Sequence, residues 1–244
     1  MTCKSNYFRR IFTATAYFFL ILQRNYSLLP TFSNFQSVHI AIAGNIGSGK
    51  TTLTEMLAKH YGWTPKFESV VQNPYLDTYY KDIKRWAFAT EVYFLKERFR
   101  DVLEINRSEK TIVQDRSIFE GVYVFAGNNQ KQGILSERDY DTYMELFELM
   151  TSITHTPDLM IYLRCSIPHL VANIQKRGRE YEQSIQLEYL TGLNERYEEF
   201  IFNYYPGKYM VIEADEMDFL NNPEDFAKIT NQIDAALFGL FPLE

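Results

Sequence analysis

The sequence predicts an α/β fold, a parallel sheet flanked by helices on both faces, and three observations carry that prediction. Apolar runs of strand length alternate with segments in which apolar residues recur at helical spacing. The first such run passes directly into a glycine-rich turn and then an amphipathic stretch. With 244 residues, 46% of them hydrophobic and 16% aromatic, the chain can bury a large core in one domain.

The elements follow in order. Val38-His39-Ile40-Ala41-Ile42-Ala43 reads as a buried strand. Gly44-Asn45-Ile46-Gly47-Ser48-Gly49-Lys50-Thr51 then matches the full G-x-x-x-x-G-K-[ST] phosphate-binding loop. Leu53, Met56, Leu57 and Tyr61 mark a helix, with Gly62 as its stop. Pro65-Lys66-Phe67 is a short candidate strand, and a long helix runs from Asp82 to Asn106. Thr111-Ile112-Val113-Gln114 is the next strand. The stretch Gly127 to Gly133 reads as a solvated loop, and a helix spans Arg138 to Met150. Strands at Asp158 to Leu163 and Tyr209 to Glu213 frame a helix from Gln186 to Asn203, and a last helix covers Glu224 to Leu237. Strands alternating with helices imply parallel pairing, and in such sheets ligands bind at the carboxyl ends of the strands.

The chemistry begins at the phosphate loop. Its glycines let consecutive N–H groups point at phosphate oxygens at the positive end of a helix, a site for a nucleoside triphosphate such as ATP. Lys50 reaches the β- and γ-phosphates and Thr51, followed by Thr52, opens the helix and coordinates Mg²⁺. Asp115-Arg116-Ser117 follows a strand, so Asp115 stands where a Walker-B acid meets Mg²⁺ or its water shell, and Arg116 faces phosphate or the acceptor hydroxyl. Glu68, after a candidate strand, is a carboxylate able to accept the proton of an attacking hydroxyl. The basic cluster Lys176-Arg177-Gly178-Arg179 reads as a lid that delivers arginines to the charge developing in phosphoryl transfer; the plain alternative is a solvated helix end.

In the order and approximate spacing of these motifs, from about Val38 to the C-terminus, the chain resembles the deoxynucleoside kinase family. The resemblance implies a P-loop kinase fold with a helical lid, and transfer of a γ-phosphate to the 5′-hydroxyl of a deoxynucleoside in nucleotide salvage. It implies that Glu68 is the general base, that Arg116 steadies the reacting oxygen or phosphate, and that Arg177 and Arg179 are lid arginines. Tyr80 and Glu182 resemble the residues that hold the sugar 3′-hydroxyl, and the Asp215 to Phe219 loop resembles the one lying against the ATP adenine. Asp115 stands where some relatives have glutamate. The family typically sets a glutamine against the acceptor base, and here Glu91 takes that position, with Arg98 two turns on matching the base-contacting arginine. An aspartate four residues after the acid-Arg-Ser motif is replaced by Gly121. Phe125 is either a wall stacking on the base or a core phenylalanine. An ionised glutamate only accepts hydrogen bonds, which ranks purines ahead of thymine. A homodimer is implied by the resemblance alone.

A formal net charge of −6 argues against nucleic acid or an anionic membrane as a partner. The two cysteines, Cys3 and Cys165, have no CxxC spacing and fit a reducing compartment, so the expected location is cytoplasmic. Cys165, after an apolar strand, reads as a buried small residue. Residues 1–37 form an N-terminal extension ahead of a kinase domain at 38–244. Its apolar stretch Ile11 to Leu22 is too short for an ordinary membrane span. The readings, in order of preference, are a misannotated start, a disordered or docking arm, and a signal or anchor. Rival functions are a nucleoside monophosphate kinase, which needs a further cationic grip on the acceptor, and a catalytically silent nucleotide-binding subunit. The joint presence of Lys50, Glu68, Asp115 and Arg116 argues against the second.

Overall fold

A computed structural model describes residues 37–68, 73–79, 81–179 and 185–239. Five parallel strands form one sheet: β1 (His39–Gly44), β2 (Thr64–Lys66), β3 (Ile112–Asp115), β4 (Leu159–Arg164) and β5 (Tyr209–Glu213), in the spatial order β2-β3-β1-β4-β5. The register pairs Ile42 with Asp115 and Gly44 with Leu163, so the phosphate loop and Asp115 leave the sheet at the same carboxyl edge.

Side chains alternate across β1 and β4 and divide the core into two layers. Ile40, Ile42, Leu159, Ile161 and Leu163 pack with Leu53 and Leu57 of helix α1 (Lys50–Tyr61) and with Ile229 and Ile233 of the helix Pro223–Phe238. Ala41, Ala43, Met160 and Tyr162 face the other layer, built on helix α2 (the segment Leu76–Tyr79), α3 (Ile83–Asn106), α4 (118–131), α5 (Glu137–Thr151) and the helix Leu187–Glu199. Leu53 and Leu57 are fully buried, each contributing about 1.5–3 kcal/mol of transfer free energy. The small alanines on the second face leave room for Tyr143, Tyr197 and Phe200, which are also fully buried.

Helix ends obey their local chemistry. Asp82 caps α3 by accepting from the Arg85 N–H at 3.2 Å, and Gly62 ends α1 at φ 72°. The expected loop at 127–133 is overturned. Gly127–Lys131 is helical and continues Ile118–Glu120 through a π-helical turn at Gly121–Ala126, and Asn128 and Asn129 are buried. Polar composition suggested solvent, but Asn129 finds partners inside the protein. Asn129 donates to Glu91, and the Asn129 carbonyl accepts from the Ile134 and Leu135 N–H groups at 2.8 and 3.1 Å. A helix at Ile167–Arg177, which the sequence reading did not delimit, closes at Gly178.

Candidate active site

The phosphate loop joins β1 to α1. Gly49 sits at φ 93°, and a Cβ there would come within 3.1 Å of the Phe219 ring, so glycine is required for conformation and for space. Asn45 ties the loop down: its Nδ2 donates to the Leu190 carbonyl and to Asn194 Oδ1 at 3.0 and 3.2 Å, while its Oδ1 accepts from the Ile46 N–H. Asn173 Nδ2 donates to the Gly47 carbonyl at 2.9 Å from the neighbouring helix. Lys50 Nζ donates to the Asn45 carbonyl at 2.9 Å. Burial, assisted by the Arg116 charge, lowers Lys50 to about 8 against the pull of Asp115, Glu120 and Glu68. That places all these groups around one centre.

Thr51 Oγ1 donates to Asp115 Oδ2 at 2.5 Å, bringing a hydroxyl and a carboxylate together at the mouth of the loop. Two hard oxygen ligands on rigid elements beside a phosphate cradle fit Mg²⁺. Thr52 follows, half-buried on the first turn of α1.

Glu68 stands between two arginines. Arg98 donates to its Oε1, and Arg116 Nε lies 3.4 Å from its Oε2. Burial alone would raise this carboxyl, but Arg116 and Arg98 outweigh it and hold Glu68 at about 2. Arg116 adopts φ 70° as a non-glycine residue, a costly backbone state that fixes where its guanidinium points. That guanidinium lies 4.4 Å from the centroid of Phe125, which is half-buried and packed on the core. Phe125 thus belongs to the core and also supports Arg116.

Glu91 is buried on α3, and its Oε1 accepts from Asn129 Nδ2 at 2.9 Å. Burial pushes Glu91 up to about 7, opposed by Arg98, by Asn129 and by Arg116. Gly121 leaves the space that Arg98 fills, since a Cβ there would lie 2.8 Å from Arg98 Nη1. The fully buried Glu120 accepts from the Ser117 N–H at 2.6 Å and from the Tyr197 hydroxyl at 2.8 Å. Sequence reasoning passed over Glu120, although Ser117-Ile118-Phe119-Glu120 is a capping-box pattern that signals it. Asn129, Asn173 and Tyr143 gave no such signal, because only the fold turns them inward.

On the donor side, Phe219 is buried against Gly49, and both Asp215 oxygens accept from the Ser166 N–H at 3.0 and 3.1 Å. Cys165 is buried, which pushes its thiol up to about 12, as befits a packing residue. Arg177 ends the helix Ile167–Arg177 and Arg179 follows; both are exposed. Tyr80 and Glu182 lie outside the described residues.

The fold and site have known counterparts. The model of the deoxynucleoside kinase family matches residues 40–238. The chain belongs to the deoxynucleoside kinase family. It is 37% identical over 196 residues to the deoxyadenosine/deoxycytidine kinase of Bacillus subtilis, covering 80% of this chain and 90% of that protein. With the deoxyadenosine kinase of Dictyostelium discoideum it shares 36% over 222 residues, 86% of this chain and 88% of that one. The structure of M. mycoides deoxyadenosine kinase with bound dATP superposes with a TM-score of 0.70 at 32% identity, covering 80% of this chain and 98% of the other. As a deoxynucleoside kinase the chain is a phosphotransferase with a P-loop kinase fold.

Proposed function

We propose that this deoxynucleoside kinase transfers the γ-phosphate of ATP to the 5′-hydroxyl of a purine deoxynucleoside, with Glu68 as the general base. The observation that carries the reading is the Glu68 carboxylate held between Arg98 and Arg116 beside Lys50 of the phosphate loop. The 5′-hydroxyl proton passes to Glu68, the freed oxygen bonds to the γ-phosphorus, and the bond from that phosphorus to the bridging oxygen breaks to leave ADP. Lys50 and Arg116 present fixed positive charge to the phosphoryl oxygens, with Arg177 and Arg179 delivered from the end of their helix. Thr51 and Asp115 would hold Mg²⁺, which when bound neutralises charge on the triphosphate. Asp215 and Phe219 are assigned to the donor base. Tyr80 and Glu182 are assigned to the sugar, and Glu91, Arg98 and Phe125 to the acceptor base.

Deoxyguanosine or deoxyadenosine is expected to have the highest kcat/KM, deoxycytidine an intermediate value and thymidine a poor one. Adenine, guanine and cytosine offer amino groups to the Glu91 carboxylate, whereas thymine offers a single ring N–H. A coupled assay with ATP across the four deoxynucleosides tests this, and thymidine as the best substrate would refute it. Glu91→Gln should flatten the order by roughly ten- to hundredfold, because an amide supplies a donor as well as an acceptor.

The kinase body begins near residue 38, consistent with the family match from residue 40. Among the described residues no helix is long and apolar enough to cross a membrane, and a cytoplasmic location is proposed from the reaction's need for ATP. A homodimer is proposed because Leu149, in the last turn of α5, and Ile153, just beyond it, are 69% and 70% exposed and offer apolar surface for a partner helix to cover.

A further inference from the structure

Around Glu91 the acceptor side holds several buried polar atoms with no hydrogen-bond partner among the described residues: Asn129 Oδ1, Tyr143 Oη and Arg98 Nε. Such orphans are costly unless a ligand or water meets them. Asn129 is only 2% exposed, and among the described residues its one side-chain hydrogen bond is the 2.9 Å donation from Nδ2 to Glu91 Oε1. It stands on α4 in the series Gly121, Phe125, Asn129, one residue per turn on a single helical face. That face carries the space filled by Arg98, the ring under Arg116 and the partner of Glu91.

We infer that Asn129 is a specificity-determining residue that works through Glu91: its amide occupies Oε1, leaving Oε2 to meet the acceptor base. The inference rests on the assignment of Glu91 to that base. With Oε1 engaged, any carboxyl proton resides on Oε2. An ionised Glu91 then accepts from an exocyclic amino group, whereas a protonated Glu91 donates and leaves the amino group unserved. The pair therefore couples base choice to pH. Asn129 favours the accepting form, because a hydrogen bond donated to a carboxylate stabilises its charge.

Among the described residues, the groups that face Glu91 leave it as the titrating one near neutrality. Arg98 on its own helix and Arg116 after β3 remain charged, and Glu68 is ionised because those arginines hold it at about 2. Tyr143 on α5 is neutral, raised well above its ordinary value by burial and by Glu91 itself. Burial sets Glu91 at about 7, within reach of an enzyme assay. Lys50, more remote, titrates in the same region but serves every acceptor alike, so it cancels from a ratio of substrates.

The decisive quantity is the ratio of kcat/KM for deoxyadenosine to that for 2′-deoxynebularine, the purine deoxynucleoside lacking only the 6-amino group. Measured between about pH 5.5 and 8.5, the ratio should rise roughly tenfold with pH in the wild-type protein and stay flat in Glu91→Gln. Asn129→Leu should move the midpoint upward by about one pH unit, since one hydrogen bond to the charged carboxylate is lost. Asn129→Asp, of nearly the same volume, should move it the same way through like-charge repulsion and serves if the leucine variant does not fold. A merely structural role for Asn129 would lower activity on both substrates and leave the midpoint in place, which would overturn the inference. A wild-type ratio that ignores pH would overturn it through Glu91. Absence of 5′-phosphorylation of any deoxynucleoside would instead defeat the proposed function itself.

Discussion

At the scale of single residues, Glu68 poses a problem of proton affinity. A carboxylate held at about 2 by two arginines is a weak base in the free protein. Arg98, however, is also the residue assigned to the acceptor base. A bound base that draws Arg98 away leaves Glu68 with one strong counter-charge instead of two, and its affinity for a proton rises. Glu68→Gln keeps the shape and removes proton acceptance; kcat should fall about 10²–10⁴-fold with KM little changed, as steady-state kinetics will show. Arg98→Met removes a cation that lowers Glu68, so protonation should set in at higher pH. The acid limb of the kcat/KM profile is expected to move up by about one to three units. An unmoved limb in that variant would disconnect Arg98 from the base.

At the scale of elements, α3 buries an acid that carries a cost. The folded Glu91 is raised to about 7 by burial, against an ordinary value of 4.5. The native state therefore binds the extra proton between those values, and stability falls as pH rises through the window. The penalty is absent below the unfolded value and complete above the folded one, amounting to up to about 3 kcal/mol. Glutamine at this position still accepts from Asn129 and carries no charge. Glu91→Gln should thus be more stable than wild type at pH 8 and close to it at pH 4.5, and melting temperatures at the two pH values are the check. The neighbouring helix α4 carries a π-helical turn at Gly121–Ala126, a distortion frequent at functional sites. Beyond that turn stands Asn129, the donor to Glu91.

At the scale of the whole molecule, the residues proposed for the site gather at the carboxyl edge of one parallel sheet, as expected for a doubly covered topology. The central strand β1 supplies the loop, the adjacent β3 supplies Asp115 and Arg116, and β4 on the other side leads into the helix whose Asn173 braces Gly47. None of these elements lies before residue 38. A chain starting at Met followed by His39 should therefore fold and retain wild-type kcat/KM; activity lost on truncation would make residues 1–37 part of the working enzyme. Intact-mass measurement of the native protein tests whether they are translated.

The local code of this chain determined the elements whose signals are short in range. The phosphate loop, the strands around it, α3 with its Asp82 cap and the acid-Arg-Ser turn are written in contiguous residues, because glycine conformations, caps and apolar periodicity act within one or two turns of backbone. The tertiary structure alone decided which polar residues turn inward. Gly127 to Gly133 has the composition of a loop, yet Gly127–Lys131 is helical, and Glu91, distant in sequence, gives Asn129 a buried partner there. Likewise, nothing near Glu68 in the sequence announces two arginines, and only the packing of α3 against α4, which follows β3, brings Arg98 and Arg116 to it. Charge state follows the same division: a residue's type sets its ordinary proton affinity, whereas burial and non-local charges set Glu68 near 2 and Glu91 near 7.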